Sequence, residues 1–318
     1  MIEYAWAHRL ANPLAVALLE GLRHKPRAIA PKFFYDARGS ALFDQICDLP
    51  EYYPTRTELG LLQRHAREMA ECIGPAADVV EFGAGSQRKI RLLLQALQRP
   101  ARYVPVDIST EHLREHARAL QAEQPGLPVQ ALAADFSADI VLPPLPAEAR
   151  RRVGFFPGSS IGNFTPAEAL QFLRRSAAWL RGGGLLIGVD LVKDPAVLHA
   201  AYNDAAGVTA AFNKNLLLRA NRELGTDFDA EAFHHHAFYD PRAQRIEMHL
   251  ISARRQTVRV FGERFLFDEG ESLHTENSCK YTVEGFQHLA REAGYAPQAV
   301  WCDAQRLFSV HWLAAPAD

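Results

Sequence analysis

From residue 77 onward the chain alternates short apolar runs with stretches whose apolar positions recur every three or four residues. ADVVEFGAG reads as a buried strand entering a glycine turn, and KIRLLLQALQ as the helix after it. RYVPVDIS and TEHLREHARALQAEQ repeat the pair, and VQALAADF reads as a third strand. RRVGFFPGSSIGNF holds a fourth strand, PAEALQFLRRSAAWL a helix with Pro166 in its first turn, and LLIGVDLV a fifth strand after the Gly182–Gly184 turn. Continuous apolar strands separated by helices predict a parallel sheet covered on both faces. TVEGFQHLAREAGY and APQAVWCDAQRLFSVHWLAA predict a closing helix and two strands.

Two regions interrupt this rhythm. The first sixty residues predict helices with turns, including helical spacing from Leu14 to Leu22 and two short pieces punctuated by Gly39 and Pro50. That stretch is dense in aromatics (Phe33, Phe34, Tyr35, Phe43, Tyr52, Tyr53), which with Asp36, Arg38 and Arg56 suit either core packing or a lid lining a pocket. Residues 194–224 predict one long helical segment, and RIEMHLISARRQTVRV and ERFLFDEGESLHTENSCK alternate like antiparallel strands. No internal repeat or low-complexity linker occurs.

Composition narrows the class. The 318 residues are 48% hydrophobic and 23% charged, with 35 basic against 37 acidic side chains and a net charge of −2. Bulk charge therefore draws the chain neither to nucleic acid nor to an anionic membrane. Arg150–Arg152, the densest basic run, is expected at a solvated helix end. The four cysteines form no CxxC pair, so neither zinc nor a disulfide framework is indicated, and a reducing cytoplasm is the expected location. MIEYAWAHRLANPLAVALLEGL lacks the features of a signal peptide, and no run approaches the ~20 apolar residues of a membrane span. His234–His236 are adjacent in an extended segment and point to opposite faces, so no metal is expected there or elsewhere.

The chemistry concentrates at strand ends. Glu81, Gly83, Gly85 and Ser86 follow the first strand directly, where glycines admit close backbone approach and the next helix offers free N–H groups. Asp107 ends the second strand, where a carboxylate can take both ribose hydroxyls. Asp135 and Phe136 end the third, where they can bracket an adenine. Such carboxyl ends form the crevice in which open α/β sheets bind ligands. A dinucleotide binder would favour GxGxxG, but Gln87 and Arg88 follow the second glycine and Glu81 would repel a pyrophosphate. The cationic methionine part of S-adenosylmethionine suits Glu81 better, and a methyltransferase is the favoured reading.

The blocks FFYDARGSALFDQICDLPEYYPTRTE, VVEFGAGSQRKIRLLL, FFPGSSIGNF, AAYNDAAGVTAAFNKN, RIEMHL and HTENSCKYT resemble the histidine-specific S-adenosylmethionine-dependent methyltransferase family, in family order along essentially the whole chain. The resemblance implies an α/β fold: a class I Rossmann-like seven-stranded methyltransferase domain (58–193 and 282–318) with a discontinuous α+β substrate domain (1–57 and 194–281). It implies Nα-methylation of histidine, with trimethylation to hercynine on the way to ergothioneine, and S-adenosylhomocysteine as the spent cofactor. By matched motif it implies a cofactor side of Tyr35, Gly83, Lys89, Asp107, Asp135 and Phe136. Tyr52, Gly158, Asn163 and Tyr202 would face the substrate amine and carboxylate, with Asn163 and Tyr202 aiming the amine. Glu276 and Ser278 would face the imidazole, with Met248 packed nearby. Asn277 and Cys279 depart from the family's pattern there. The bland readings are Asn163 as a helix cap near Thr165, Tyr202 as a packing aromatic, Lys89 as a solvated lysine, and Glu276 and Ser278 in a surface turn. A small-molecule partner and a monomer are expected. Methylation of another amine, such as a tryptophan derivative, is the second hypothesis, and a non-catalytic binding protein on the same scaffold the third.

Overall fold

The computed structural model describes residues 12–317; the first half of the N-terminal amphipathic stretch lies outside them. The chain divides into two compact units, one of residues 53–193 and 279–318, the other of residues 1–52 and 194–278.

The first unit is built on a seven-stranded sheet. Its strands in chain order are β1 (Ala77–Phe82), β2 (Arg102–Asp107), β3 (Leu132–Ala133), β4 (Arg151–Phe156), β5 (Gly184–Asp190), β6 (Ala296–Cys302) and β7 (Phe308–Ala314). They lie in the order β6-β7-β5-β4-β1-β2-β3, and β7 alone runs against the rest. Neighbouring residues of one strand enter opposite cores. Val79, Phe155 and Leu186 pack with helices Tyr53–Ile73 and Gln87–Ala96, while Val80, Phe156 and Leu185 pack with Pro166–Trp179 and Val283–Glu292. This double burial is why β1 and β5 are buried at every position. Gly184 opens β5 because a Cβ there would lie 2.5 Å from the Trp312 ring.

The sheet-building strands fall where the apolar runs predict, with two corrections. The third strand is only Leu132–Ala133, an edge strand paired on one side. Arg151 and Arg152 are not a helix end: they open β4, and Arg152 Nε donates to the fully buried Asp78 at 2.8 Å. Arg102 donates to the same carboxylate at 2.9 and 3.0 Å, so this buried charge is paired twice.

The second unit carries a four-stranded sheet in the order Arg27–Ala28, Ser272–Cys279, Arg245–Ser252, Phe233–Asp240, and a separate hairpin of Gln256–Val260 and Glu263–Phe267. Arg245–Ser252 alternates strictly between half-buried and buried positions, as predicted. Helix Val208–Leu224 is fixed to this sheet through Asn213, whose amide donates to His249 O at 3.0 Å and whose oxygen accepts from Thr275 Oγ1 at 2.8 Å. A fully buried carboxamide satisfied on both ends specifies one docking register.

Two helical expectations change here. Gly39 does not punctuate a helix but lies inside Ala37–Asp48, where a Cβ would sit 1.8 Å from Phe34 O and where Asp36 caps the Gly39 N–H at 2.7 Å. The long segment from 194 is two helices, Pro195–Tyr202 and Val208–Leu224. Gly207 at φ 71° breaks it, and Asp204 caps the second helix through Val208 N and Thr209 N, each at 2.8 Å. No helix among the described residues is long and apolar enough to cross a membrane.

Candidate active site

In the sheet unit the polar residues gather at the carboxyl ends of β1, β2 and β4, where the strand order reverses. Gly83 leaves β1 at φ 75°, a conformation that penalises any side chain, and a Cβ there would meet the Phe136 ring at 3.6 Å. Gly85 is different: it is free of positive φ, and a Cβ would enter open space. Glu81 is buried and accepts from the Tyr103 hydroxyl. Burial pushes its pKa up to about 8, against the opposing pull of Tyr103 and Lys89. Asp107 turns one carboxylate oxygen to Ser109 N at 2.8 Å, and Asp135 one to Ser137 N at 2.9 Å. Phe136 stands against Phe156, Phe82 and Phe172, with ring centroids 5.5 to 6.2 Å away.

Lys89 is not a solvated lysine. Its ammonium lies 2.6 Å from Glu58 Oε2, and its side chain is 13% exposed against 1% for the glutamate. Glu58 also accepts the Gly158 N–H, at 2.8 and 3.1 Å. Gly158 and Ser159 turn the chain after β4 with φ of 79° and 56°, and Ser159 Oγ accepts from Asp190 N at 2.9 Å. Asn163 ends the short 3-10 helix Ser160–Asn163. It does not cap the following helix: Thr165 does, in a reciprocal capping box with Glu168.

Beside this turn lies a buried ionic network absent from the sequence reading. Asp190 meets Lys193 at 2.6 Å, Lys280 at 2.8 Å and the Tyr53 hydroxyl at 2.7 Å. Burial alone would raise the Asp190 pKa, but Lys280 and Lys193 outweigh it and hold the carboxyl below its ordinary value. Burial in turn lowers Lys193 to about 8. Glu58 was likewise missed. Its one signal is position: with Thr55 and Leu62 it shares the buried stripe of helix Tyr53–Ile73.

The second unit gathers a different set. The Tyr202 hydroxyl lies 2.6 Å from Ser278 Oγ, and the Tyr202 ring meets Tyr52 edge-on at 6.3 Å. Tyr52 in turn meets Phe43 at 6.3 Å, and Tyr35 meets Phe43 at 5.6 Å. Burial drives the Tyr52 phenol well above its ordinary pKa, with Tyr202, Cys47, Tyr35 and Glu276 adding to the rise. Tyr35, Tyr52, Tyr202, Glu276 and Ser278 thus form one cluster. Glu276 and Ser278 are buried, 8% and 6% exposed, so they belong to no surface turn. Met248 is buried in the neighbouring strand, where its carbonyl accepts from Thr275 Oγ1 at 3.0 Å.

Comparison with known proteins places the whole chain in one family. The family described as histidine-specific methyltransferase, SAM-dependent, matches residues 14–315. The chain is 43% identical over 309 residues to a histidine N-alpha-methyltransferase of Mycolicibacterium smegmatis, spanning 95% of each chain. It is 43% identical over 289 residues to the enzyme of that name from Mycobacterium tuberculosis, spanning 89% of each. It is also 32% identical over 309 residues to ergothioneine biosynthesis protein 1 of Neurospora crassa, covering 91% of this chain and 33% of that one. The β1 glycine turn, the strand-end carboxylates and the buried Tyr202–Ser278–Glu276 group therefore sit in a member of the histidine-specific, S-adenosylmethionine-dependent methyltransferase family.

Proposed function

We propose that this enzyme methylates the α-amine of free L-histidine, adding three methyl groups to give hercynine. The observation that carries the reading is the Tyr202–Ser278 hydroxyl pair at 2.6 Å beside buried Glu276. A carboxylate and two hydroxyls buried together give a polar ligand charged and neutral hydrogen-bonding groups in one place. An imidazole N–H completes the carboxylate with a charge-assisted bond worth roughly 1.5–3 kcal/mol. An apolar side chain cannot make that bond, and this favours histidine.

The strand-end residues suit S-adenosylmethionine on the same chemical grounds. Asp107 keeps one carboxylate oxygen for ribose hydroxyls, Asp135 and Phe136 offer a polar group and a ring face to adenine, and Gly83 keeps side-chain bulk away from them. Glu81 and Lys89 complete the assignment, while Gly85 serves the turn. The cofactor supplies an electrophilic methyl group that is displaced in line by an amine lone pair. The protein's part is positioning, which supplies much of the rate in such displacements. Tyr202 fixes the amine by a hydrogen bond and aims its lone pair, a role that the family resemblance also gives to Asn163. Tyr52, kept a neutral phenol, presents a ring face to the growing alkylammonium, at roughly 0.5–2 kcal/mol per cation–π contact. The Gly158 N–H is given to Glu58, so Gly158 contributes through its turn geometry. Met248 supports the strand beside the cluster.

The test is incubation of purified protein with S-adenosylmethionine and each of the twenty free amino acids, read by mass spectrometry. Gains of one, two and three methyl groups on histidine alone are expected. Methylation of a different amino acid would overturn the substrate, and accumulation of mono- or dimethylhistidine at completion would overturn the trimethyl product.

A further inference from the structure

The strict alternation of strand Arg245–Ser252 puts Glu247 and His249 on one face, and the adjacent strand Ser272–Cys279 brings His274 beside them. Glu247 Oε2 lies 3.0 Å from His249 Nε2, and the two imidazole centroids are 5.0 Å apart. One carboxylate oxygen and one nitrogen from each ring all lie within 4.8 Å of one another. We propose that Glu247, His249 and His274 form a binding site for a divalent transition-metal ion of the zinc class.

The donor set is the first argument. Two imidazoles and one carboxylate are a recurrent three-ligand set for zinc, leaving the fourth tetrahedral position to water. Bonds of about 2.0–2.2 Å put tetrahedral ligand atoms about 3.3 Å apart. The Glu247–His249 separation already matches, and His274 offers its nitrogen within 4.8 Å of both.

The surroundings favour ligation. His274 Nε2 lies 3.1 Å from Asn277 Oδ1, so an Nε2–H donated to that oxygen leaves a lone pair on Nδ1. Metal-binding histidines characteristically give their other N–H to such an oxygen. The ring of Phe238 stacks on His249 at 5.5 Å and an interplanar angle of 18°, fixing the ring plane. Arg245 takes Glu247 Oε1 at 2.8 and 2.5 Å, which orients the carboxylate and leaves Oε2 toward His249. Its positive charge also sets the affinity below that of an all-anionic site.

Of the run His234–His236 only His236 comes near, opposite His249 in the register, and it lies outside the donor set. His234 and His236 are exposed, and His235 faces the other way, bonding Asn213 at 2.9 Å and Tyr202 O at 2.8 Å.

The experiment uses full-length protein free of any histidine tag and stripped with chelator. It is titrated with Zn2+ by calorimetry and with Co2+ by visible absorption. One equivalent is expected to bind, with a cobalt d–d band more intense than that of the aqueous ion. His274→Gln and Glu247→Gln are each expected to weaken binding at least tenfold, with S-adenosylmethionine affinity and far-ultraviolet circular dichroism unchanged. The double variant His234→Gln/His236→Gln should bind as wild type. Absence of the cobalt band in wild type, unchanged affinity in His274→Gln, or loss of binding in the His234/His236 variant would each overturn the proposal. If Glu247→Gln misfolds because Arg245 loses its partner, His274→Gln decides the matter.

Discussion

Glu58 and Lys89 form a buried ion pair at 2.6 Å, and the same carboxylate holds the Gly158 N–H. One side chain therefore ties the first turn of helix Gln87–Ala96 to the turn after β4. Removing it leaves a largely buried ammonium uncompensated, which typically costs about 3–5 kcal/mol. Glu58→Ala is expected to lower stability by that order in urea unfolding. Glu58→Gln, which can still accept from Gly158, should lose less. Gly188→Ala makes an independent check, since a Cβ there would lie 2.0 Å from Glu58 Oε1 and displace it. Wild-type stability in Glu58→Ala would show that the pair contributes nothing.

Glu81 holds its proton at neutral pH, because burial raises its pKa from the ordinary 4.5 to about 8. A cation docking beside it would favour the charged form and expel that proton. Binding of S-adenosylmethionine at pH 7 is expected to release close to one proton, measured by calorimetry in buffers of different ionisation enthalpy. Glu81→Gln should bind without this release. If wild type and variant release equally, Glu81 does not meet the cofactor's charge.

The same group makes stability depend on pH with a definite sign. The folded form binds the proton more tightly than the unfolded chain, so this contribution is lost as pH rises from 4.5 to 8, by at most about 1.4 kcal/mol per unit. His311 acts oppositely. Burial lowers its pKa from 6.5 to about 3, so unfolding takes up a proton and stability is lost as pH falls through that window. Between pH 4.5 and 6.5 the two slopes oppose each other. Relative to wild type, Glu81→Gln is expected to lose more stability on acidification from pH 6.5 to 4.5, and His311→Leu less. Parallel unfolding profiles for all three proteins would contradict both assignments.

Glu276 should separate substrate from cofactor. Glu276→Ala is expected to raise the histidine KM roughly 10- to 150-fold, the equivalent of the 1.5–3 kcal/mol bond it removes. The dissociation constant for S-adenosylmethionine should move less than twofold. Ser278→Ala, which removes the hydroxyl 2.6 Å from that of Tyr202, should cost about 1 kcal/mol in histidine binding. Equal loss of both ligands in Glu276→Ala would remove it from the imidazole role.

Much of the sheet could be read from apolar runs, because strands buried on both faces carry an unbroken signal, as in β1 and β5. The third strand was overestimated for the converse reason: pairing on one edge stops where the partner stops, at Leu132–Ala133, whatever the residues beyond it are. Gly39 read as a break, yet it is a close-approach position inside a helix, a distinction that depends on Phe34 O lying over it. The strand-end acids were visible because topology places them in order. Glu58, Asp190 and Lys280 were not, since a charged residue reads as exposed until its partners from distant segments are known. In strand Ser272–Cys279 the period of two fails at Thr275 and Glu276, both buried, which no alternation rule anticipates.

The chain passes from one unit to the other after Tyr52, after Lys193 and after Ser278. The unit that carries Tyr202 and Glu276 is thus encoded in two stretches of sequence separated by more than a hundred codons. A single genetic exchange of residues 194–278 would transplant Tyr202, Glu276 and Ser278 but leave behind Tyr52, Phe43 and Tyr35, the rings they stand among. New amine preferences in such an enzyme are therefore reached by point substitution or by paired segment exchange, and recombinant libraries should be cut at all three crossings.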